Sequence, residues 1–262
     1  MANSKKKDVN FYRRVPRKYK NIIEKSVIRY SEEADQYDNH RFISEKGKFF
    51  HEIDMEAFFS ILGDISGKRI LDVAAGTGRL SLELAKKGAQ VIALDVTYDM
   101  LLEAKKKFSP GMNIFFCNAD GRKLPFKDNS FDVITCIRFT HLVSKEDMID
   151  FISEMKRVLK PGGYVIIQFG NKTREIFIGF LEEFLHSVIK KEYKRTTYYP
   201  KDYRYLFKDM KIVRKIGIGF TGLELVARLS KSLAMNINLI GRIFPFMYLT
   251  KKIIIQAYKN DH

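Results

Sequence analysis

Residues 70–85 read ILDVAAGTGRLSLELA. An apolar run broken only by Asp72 leads into Gly76 and Gly78, and a helical pattern opens at Arg79. The order is strand, tight turn, helix. Glycine in such a turn lets the backbone bend sharply and come close to a ligand. The helix that follows points unpaired N–H groups toward the same place.

The alternation continues outward from this unit. Downstream, Gln90–Asp95 reads as a strand and Tyr98–Phe108 as a helix, with Met100, Leu101, Ala104 and Phe108 inward and Pro110-Gly111 as its stop. Asn113–Cys117 and Phe131–Ile137 read as strands, Glu146–Leu159 as a helix stopped by Pro161-Gly162-Gly163, and Tyr164–Phe169 as a strand. Upstream, Phe50, Ile53, Ala57, Phe58 and Ile61 form one stripe of a helix over Phe49–Leu62. Strands alternating with helices predict an α/β fold, a parallel sheet covered on both faces. Beyond Asn171 the pattern changes. Thr173–Lys191 is predicted helical and Lys211–Ile218 and Lys251–Tyr258 are predicted strands, while Leu223–Leu249 is apolar and basic without a clear period.

The chain has 262 residues, 45% of them apolar and 13% aromatic, enough for one domain with decorations. Its longest stretches without charge, Phe108–Ala119 and Pro161–Asn171, fall short of the roughly 20 residues a membrane-spanning helix needs. The basic start has no apolar run behind it, unlike a secretory signal. The two cysteines, Cys117 and Cys136, lie in apolar runs with no Cys or His at metal-ligand spacing. Buried reduced thiols, no metal and a cytoplasmic setting are expected.

The net charge of +16 is unevenly spread. Residues 1–30 carry +8, residues 31–171 carry −2 and residues 172–262 carry +10. Basic ends around a balanced middle suit nucleic acid, an anionic acceptor or an acidic membrane surface, and equally a solvated lysine-rich surface.

Two more acids fall at strand ends. Asp95 closes the second strand, 17 residues after Gly78, where a carboxylate can accept both hydroxyls of a ribose. Asp120 follows the third strand, where it can receive the exocyclic amine of an adenine. A nicotinamide dinucleotide would want G-x-G-x-x-G, but Ser81 stands at the third glycine. Asp72, four residues before Gly76, suits an ammonium or sulfonium better than a pyrophosphate. The balance favours S-adenosylmethionine.

Four motifs in order, LDVAAGTGR (71–79), VIALDVTYDML (91–101), ADGRKLPFKDNSFDVI (119–134) and EMKRVLKPGGYVII (154–167), resemble the class I S-adenosylmethionine-dependent methyltransferases, in the broad branch of quinone and small-molecule enzymes. The resemblance covers Gly67–Gly170, and more weakly Tyr37–Phe42. It implies a Rossmann-like seven-stranded mixed sheet with helices on both faces and the last strand antiparallel. It also implies cofactor contacts from Asp72, Ala74, Gly76 and Gly78 (methionine end), Asp95 (ribose), Val96 and Met100 (adenine pocket), and Asp120 and Gly121 (adenine amine and backbone). Ala74 replaces a residue that is usually Gly in the family. Residues 1–48 would be a basic arm and a lid in which Tyr37 and Arg41 close on the cofactor. Residues 49–262 would be the methyltransferase domain, with a cofactor-binding half at 67–170 and acceptor-side elements at 171–262.

The methyl group comes activated, so the protein mainly aligns two reactants. The acceptor is expected past the fourth strand, at Arg138-Phe139-Thr140-His141. His141 is the candidate general base, although a structural role suits it as well, and Arg138 is a candidate for cofactor or acceptor binding. His51, His186 and His262 look incidental. A small-molecule or lipid-like acceptor is favoured, with peripheral contact to an acidic membrane through the apolar Leu233–Leu249. RNA is the alternative, supported by the basic ends but by no base-clamping tetrapeptide or RNA-binding module. A catalytically inactive cofactor-binding protein is the third reading.

Overall fold

Arg69–Val73 forms β1, and four of its five residues are buried. Such a strand needs cover on both faces, and the computed structural model, which describes residues 20–174, 196–220, 223–243 and 246–260, supplies it. Ile70 faces one core with Ile53, Phe58 and Leu84. Leu71 and Val73 face the other with Met148, Met155 and Phe207. The strand therefore reads as continuous apolar sequence rather than alternation.

Helices α1 (Lys20–Glu33), α2 (Tyr37–Phe42) and α3 (Glu45–Leu62) precede β1. Then follow α4 (Arg79–Lys86), β2 (Gln90–Asp95), α5 (Tyr98–Lys105), β3 (Ile114–Asn118), β4 (Phe131–Cys136), α6 (Lys145–Val158) and β5 (Leu159–Gly170). The remainder supplies α7 (Pro200–Leu206), β6 (Met210–Ile218), α8 (Leu223–Leu229), α9 (Lys231–Ile240) and β7 (Lys252–Lys259). The seven strands form one sheet in the order β3-β2-β1-β4-β5-β7-β6. β1 to β5 pair in parallel, and β7 runs antiparallel to both β5 and β6. The antiparallel strand thus lies one place in from the edge, and β6 forms the edge itself. The chain leaves β1 toward β2 and β3, then returns to the other side of β1 at β4. That reversal opens a crevice at the strands' carboxyl ends, the usual ligand position in such sheets.

Several boundaries differ from the sequence reading. α3 starts at Glu45 because Ser44 caps it, its hydroxyl accepting from the Gly47 N–H at 3.1 Å. α6 ends at Val158 because Leu159 is already extended, at φ −77° and ψ 134°. Pro161-Gly162-Gly163 therefore falls in an irregular stretch of β5, where the register against β4 shifts, and is not the helix stop. Leu223–Leu249 resolves into α8, α9 and a 3-10 turn at Phe246–Leu249. Cys136 is buried and Cys117 only partly so; both are free thiols. The basic arm through residue 19 and most of the helix expected over Thr173–Lys191, together with His186 and His262, lie outside the described residues. Among the described residues no helix is long and apolar enough to cross a membrane.

Candidate active site

The carboxyl ends of β1, β2 and β4 open into a cavity of about 1220 Å³, counting its open mouth. Asp72, near the end of β1, is 2% exposed. Its neighbour across β4 in the sheet register is Thr135, whose hydroxyl donates to Asp72 Oδ1 at 2.8 Å. Ser81, from the first turn of α4, donates to Oδ2 at 2.6 Å. Burial pushes the Asp72 carboxyl up to about 6, with the nearby Asp95 charge adding to the effect against those two bonds. A carboxylate so placed keeps its charge at lower pH if a cation arrives beside it.

Asp95, at the end of β2, accepts from the Gly76 N–H and the Thr97 N–H, both at 2.8 Å. Burial raises its carboxyl as well. Each carboxylate oxygen offers two lone pairs, so capacity remains for a ligand's hydroxyls. Val96 and Met100 line the wall beside it, and Asp120 and Gly121 line the wall after β3. A Cβ on Gly121 would come within 2.3 Å of the Phe151 ring, so glycine there is set by the packing of α6. Asp120 is not open-handed. The Arg122 guanidinium donates to it at 2.6 Å and to Asp147 at 3.2 Å. Arg122 lines the cavity too and was not singled out from the sequence, where nothing local marks it.

The glycine turn divides its work. At Gly76, with φ +55°, an added Cβ would meet nothing within 4 Å, so the backbone there faces open cavity. Gly78, the N-cap of α4, is not among the cavity-lining residues. A Cβ on it would lie 2.9 Å from Ala104 Cβ and 3.1 Å from the Phe108 ring. Gly78 lets the turn pack on α5. Ala74 lines the cavity at φ +59°. Its left-handed backbone, more than close approach, is what a glycine would ease.

Of the expected lid residues, Tyr37 lines the cavity. Arg41 does not; its guanidinium stacks over the Tyr37 ring at 5.4 Å. The residue that ties α2 down is Asp38, which accepts from Thr77 Oγ1 at 2.8 Å and from Lys107 Nζ, and pairs with Arg79 at 3.4 Å. Lys107 also donates to the Thr77 carbonyl at 2.7 Å. The latch therefore closes directly on the glycine turn.

Arg138 follows β4 at φ +58° and lines the cavity. Its Nε donates to Asp54 Oδ2 at 3.0 Å, and its Nη2 lies 3.0 Å from His51 Nδ1. Gln168 accepts from the Arg138 N–H at 3.1 Å and donates to Asp54 at 3.1 Å, so one network fixes both the side chain and the backbone. Burial opposes the charge of Asp54, but Lys252 and Arg138 together hold its carboxyl below the ordinary range. Burial, reinforced by Arg138 and Arg79, lowers His51 to about 4. His51 is thus a neutral partner of a cavity residue, not an incidental histidine. His141 lies on the 3-10 turn Thr140–Leu142 but is not among the cavity-lining residues. Phe139, Leu142 and Val143 form that wall instead.

This donor set fits a ligand carrying a cation, a diol and an amine. Asp72 offers a buried negative charge, Asp95 a carboxylate beside a free-facing turn, and Asp120 a third carboxylate at the far wall. A family profile described as a methyltransferase domain matches residues 70–163. The ubiquinone/menaquinone biosynthesis C-methyltransferase UbiE of Stutzerimonas stutzeri is 30% identical over 207 residues, covering 74% of this chain and 79% of that one. The chain belongs to the class I S-adenosylmethionine-dependent methyltransferases. A demethylmenaquinone methyltransferase of Renibacterium salmoninarum is 36% identical over 151 residues, 57% of this methyltransferase and 62% of the relative. In fold, the methyltransferase also matches the magnesium protoporphyrin IX methyltransferase of Synechocystis, solved with bound S-adenosylhomocysteine. The TM-score is 0.60 at 18% identity, over 90% of this chain and 99% of that one. Its cofactor is S-adenosylmethionine, which when bound supplies a methyl group activated on a sulfonium.

Proposed function

We propose that this methyltransferase acts on a small-molecule or lipid-like acceptor of the quinone kind. The observation that carries this reading is the wall past β4. Ile137, Phe139, Leu142 and Val143 line the cavity there, joined by Phe42 from α2 and Phe151 from α6. An apolar, partly aromatic wall suits a planar apolar acceptor. The names of the relatives in quinone and menaquinone synthesis support the same class. Arg138 is the cation that the loop after β4 gives to this wall. Its guanidinium can hold a phenolate or carbonyl oxygen of the acceptor by a charge-assisted hydrogen bond.

In this reading Asp72 holds the cationic methionine end of the cofactor, Asp95 the ribose diol and Asp120 the adenine amine, with Val96 and Met100 against the base. Tyr37 covers the methionine end from α2, and Arg41 positions Tyr37 from behind. The basic ends are the feature that favours RNA instead. The experiment is to incubate the protein with methyl-labelled cofactor and cell extract. Label should pass into organic solvent, and label made soluble by ribonuclease would replace this reading with RNA methylation.

A further inference from the structure

Fifteen large apolar residues are exposed among the described residues, and seven of them fall between Leu225 and Phe246. α8 and α9 turn one side to the protein. Leu223, Ala234 and Asn238 are buried, and Val226 and Ile237 pack on the core. The Asn238 side chain accepts from the Gly219 N–H at 2.9 Å, which pins α9 in place. The other side carries Leu225, Leu229 (91% exposed), Leu233 and Ile240, continued by Ile243 and Phe246. Apolar exposure gathered on one pair of packed helices, rather than scattered singly over the surface, marks an interaction site.

The charge around this face selects its partner. Residues 223–252 hold five cations, Arg228, Lys231, Arg242, Lys251 and Lys252, against one acid, Glu224. Lys231 and Arg242 reach Glu52 and Glu56 on α3 at 2.7 and 2.9 Å, which fixes the pair of helices to the body, and Lys252 turns inward to the buried Asp54, so the exposed Arg228 and Lys231 are the cations at the outer margin. An apolar face with basic margins is the pattern that settles at the headgroup boundary of an anionic bilayer. Position agrees with this. Glu52 and Glu56 of α3 meet α9 and the turn after it, while His51 and Asp54 of the same helix hold Arg138 on the cavity wall. One helix, roughly 10 Å across, separates the apolar face from the wall assigned to the acceptor.

We infer that α8, α9 and the exposed side chains of Ile243 and Phe246 dock this methyltransferase on an anionic lipid surface. Leu229, Leu233 and Ile243 enter the headgroup boundary, and the cavity is held near the layer in which a lipid-like acceptor dissolves. The purpose of docking rests on the acceptor reading above; the docking itself rests on the face.

The test is flotation of the full chain with vesicles of phosphatidylcholine, with and without phosphatidylglycerol. Binding should require phosphatidylglycerol and weaken as salt rises, leaving a remainder at high salt that the basic N-terminal arm alone would not give. The combined variant Leu229→Gln, Leu233→Gln and Ile243→Gln should lose that remainder and bind at least tenfold more weakly. Its melting temperature and its calorimetric affinity for S-adenosylhomocysteine should be unchanged. No binding to phosphatidylglycerol vesicles would overturn the proposal. So would equal binding by the variant, or a concentration-dependent dimer that the variant abolishes while wild type ignores vesicles. Label transfer into organic extract is a separate readout. Organic-soluble product without vesicle binding sinks the docking and keeps the acceptor class, and vesicle binding with ribonuclease-sensitive product does the reverse.

Discussion

The two ends of the single sheet use their residues in opposite ways. From α3 to β5 the protein buries four carboxylates, Asp54, Asp72, Asp95 and Asp147, and holds Ala74 and Arg138 in left-handed backbone. From β6 onward the described residues bury only uncharged polar groups, Asn238, Thr250 and Gln256, and leave apolar side chains in water. Buried charge and backbone strain both cost stability. The first region accepts that cost where a charged cofactor must be met. The second gives up apolar burial where something outside the protein is to be met. Substitution in the first region should therefore trade stability against cofactor binding, and substitution on the outer face of the second should leave both alone.

The sharpest test of the first half of that statement is Asp72→Asn. The Asp72 carboxyl stands at about 6 in the fold against an ordinary 3.8. A raised carboxyl favours the fold in its neutral form, so stability is lost as pH rises from about 4 through about 6. Asparagine carries no charge to bury, and its amide can still accept from one of Ser81 and Thr135 and donate to the other. Asp72→Asn should gain up to about 3 kcal/mol over wild type at pH 8. The gain should shrink below pH 6 and vanish near pH 4. Cofactor affinity should move the other way, falling roughly ten- to a hundredfold. Denaturant titrations at pH 4 and 8, with calorimetry at pH 8, measure both; a variant that is neither more stable nor weaker in binding breaks the comparison.

Asp95 should behave differently although it lies one strand away. Its oxygens accept from the Gly76 and Thr97 N–H groups, so Asp95→Ala strands two backbone donors as well as removing the proposed ribose acceptor. Affinity for S-adenosylmethionine should fall by about 1.5–3 kcal/mol, ten- to a hundredfold, and stability should fall with it. Asp95→Asn separates the two effects by returning one acceptor. Calorimetry showing unchanged affinity in both variants would take Asp95 out of the site.

These contrasts explain what the sequence could carry. Asp72, Gly76, Asp95 and Asp120 were legible because strand, turn and helix repeat at fixed spacing, and residues at strand ends share one edge of a parallel sheet. Partnerships across the chain were not legible. Asp38 reaches Lys107 over 69 residues, Arg138 reaches His51 over 87, and Lys252 reaches Asp54 over 198. No local pattern records such a meeting, so the latch on the glycine turn went unseen and His51 looked incidental. α8 and α9 were obscured for another reason. Their apolar residues point both inward and outward, which erases the helical period that a one-sided helix shows.

Ala74→Gly tests the strain itself. An L-residue in the left-handed region costs roughly 1–2 kcal/mol, and glycine gives back part of that through its own flexibility. A net gain of about 1 kcal/mol is expected, or about 2–4 °C in melting temperature for a chain of this size. Cofactor affinity should stay within a few-fold. A loss of stability would mean that the alanine methyl packs against something that outweighs the strain.

The smallest effect is expected at His141. As general base it would need its ring within hydrogen-bond reach of the acceptor, and the cavity wall on that turn is made by Phe139 and Leu142 instead. In the proposed reaction, an electron-rich aromatic acceptor held by Arg138 gives up its proton to water once its oxygen is paired with the guanidinium. His141→Ala should then keep turnover within a few-fold of wild type, with the same pH profile. The base role predicts otherwise, namely a loss of about 10²–10⁴ in rate at intact cofactor affinity. It also predicts a wild-type profile that falls as pH drops through the histidine range near 6.5. Turnover measured from pH 5 to 9 on both proteins decides between the two. A large loss would place the 3-10 turn closer to the acceptor than its apolar wall implies.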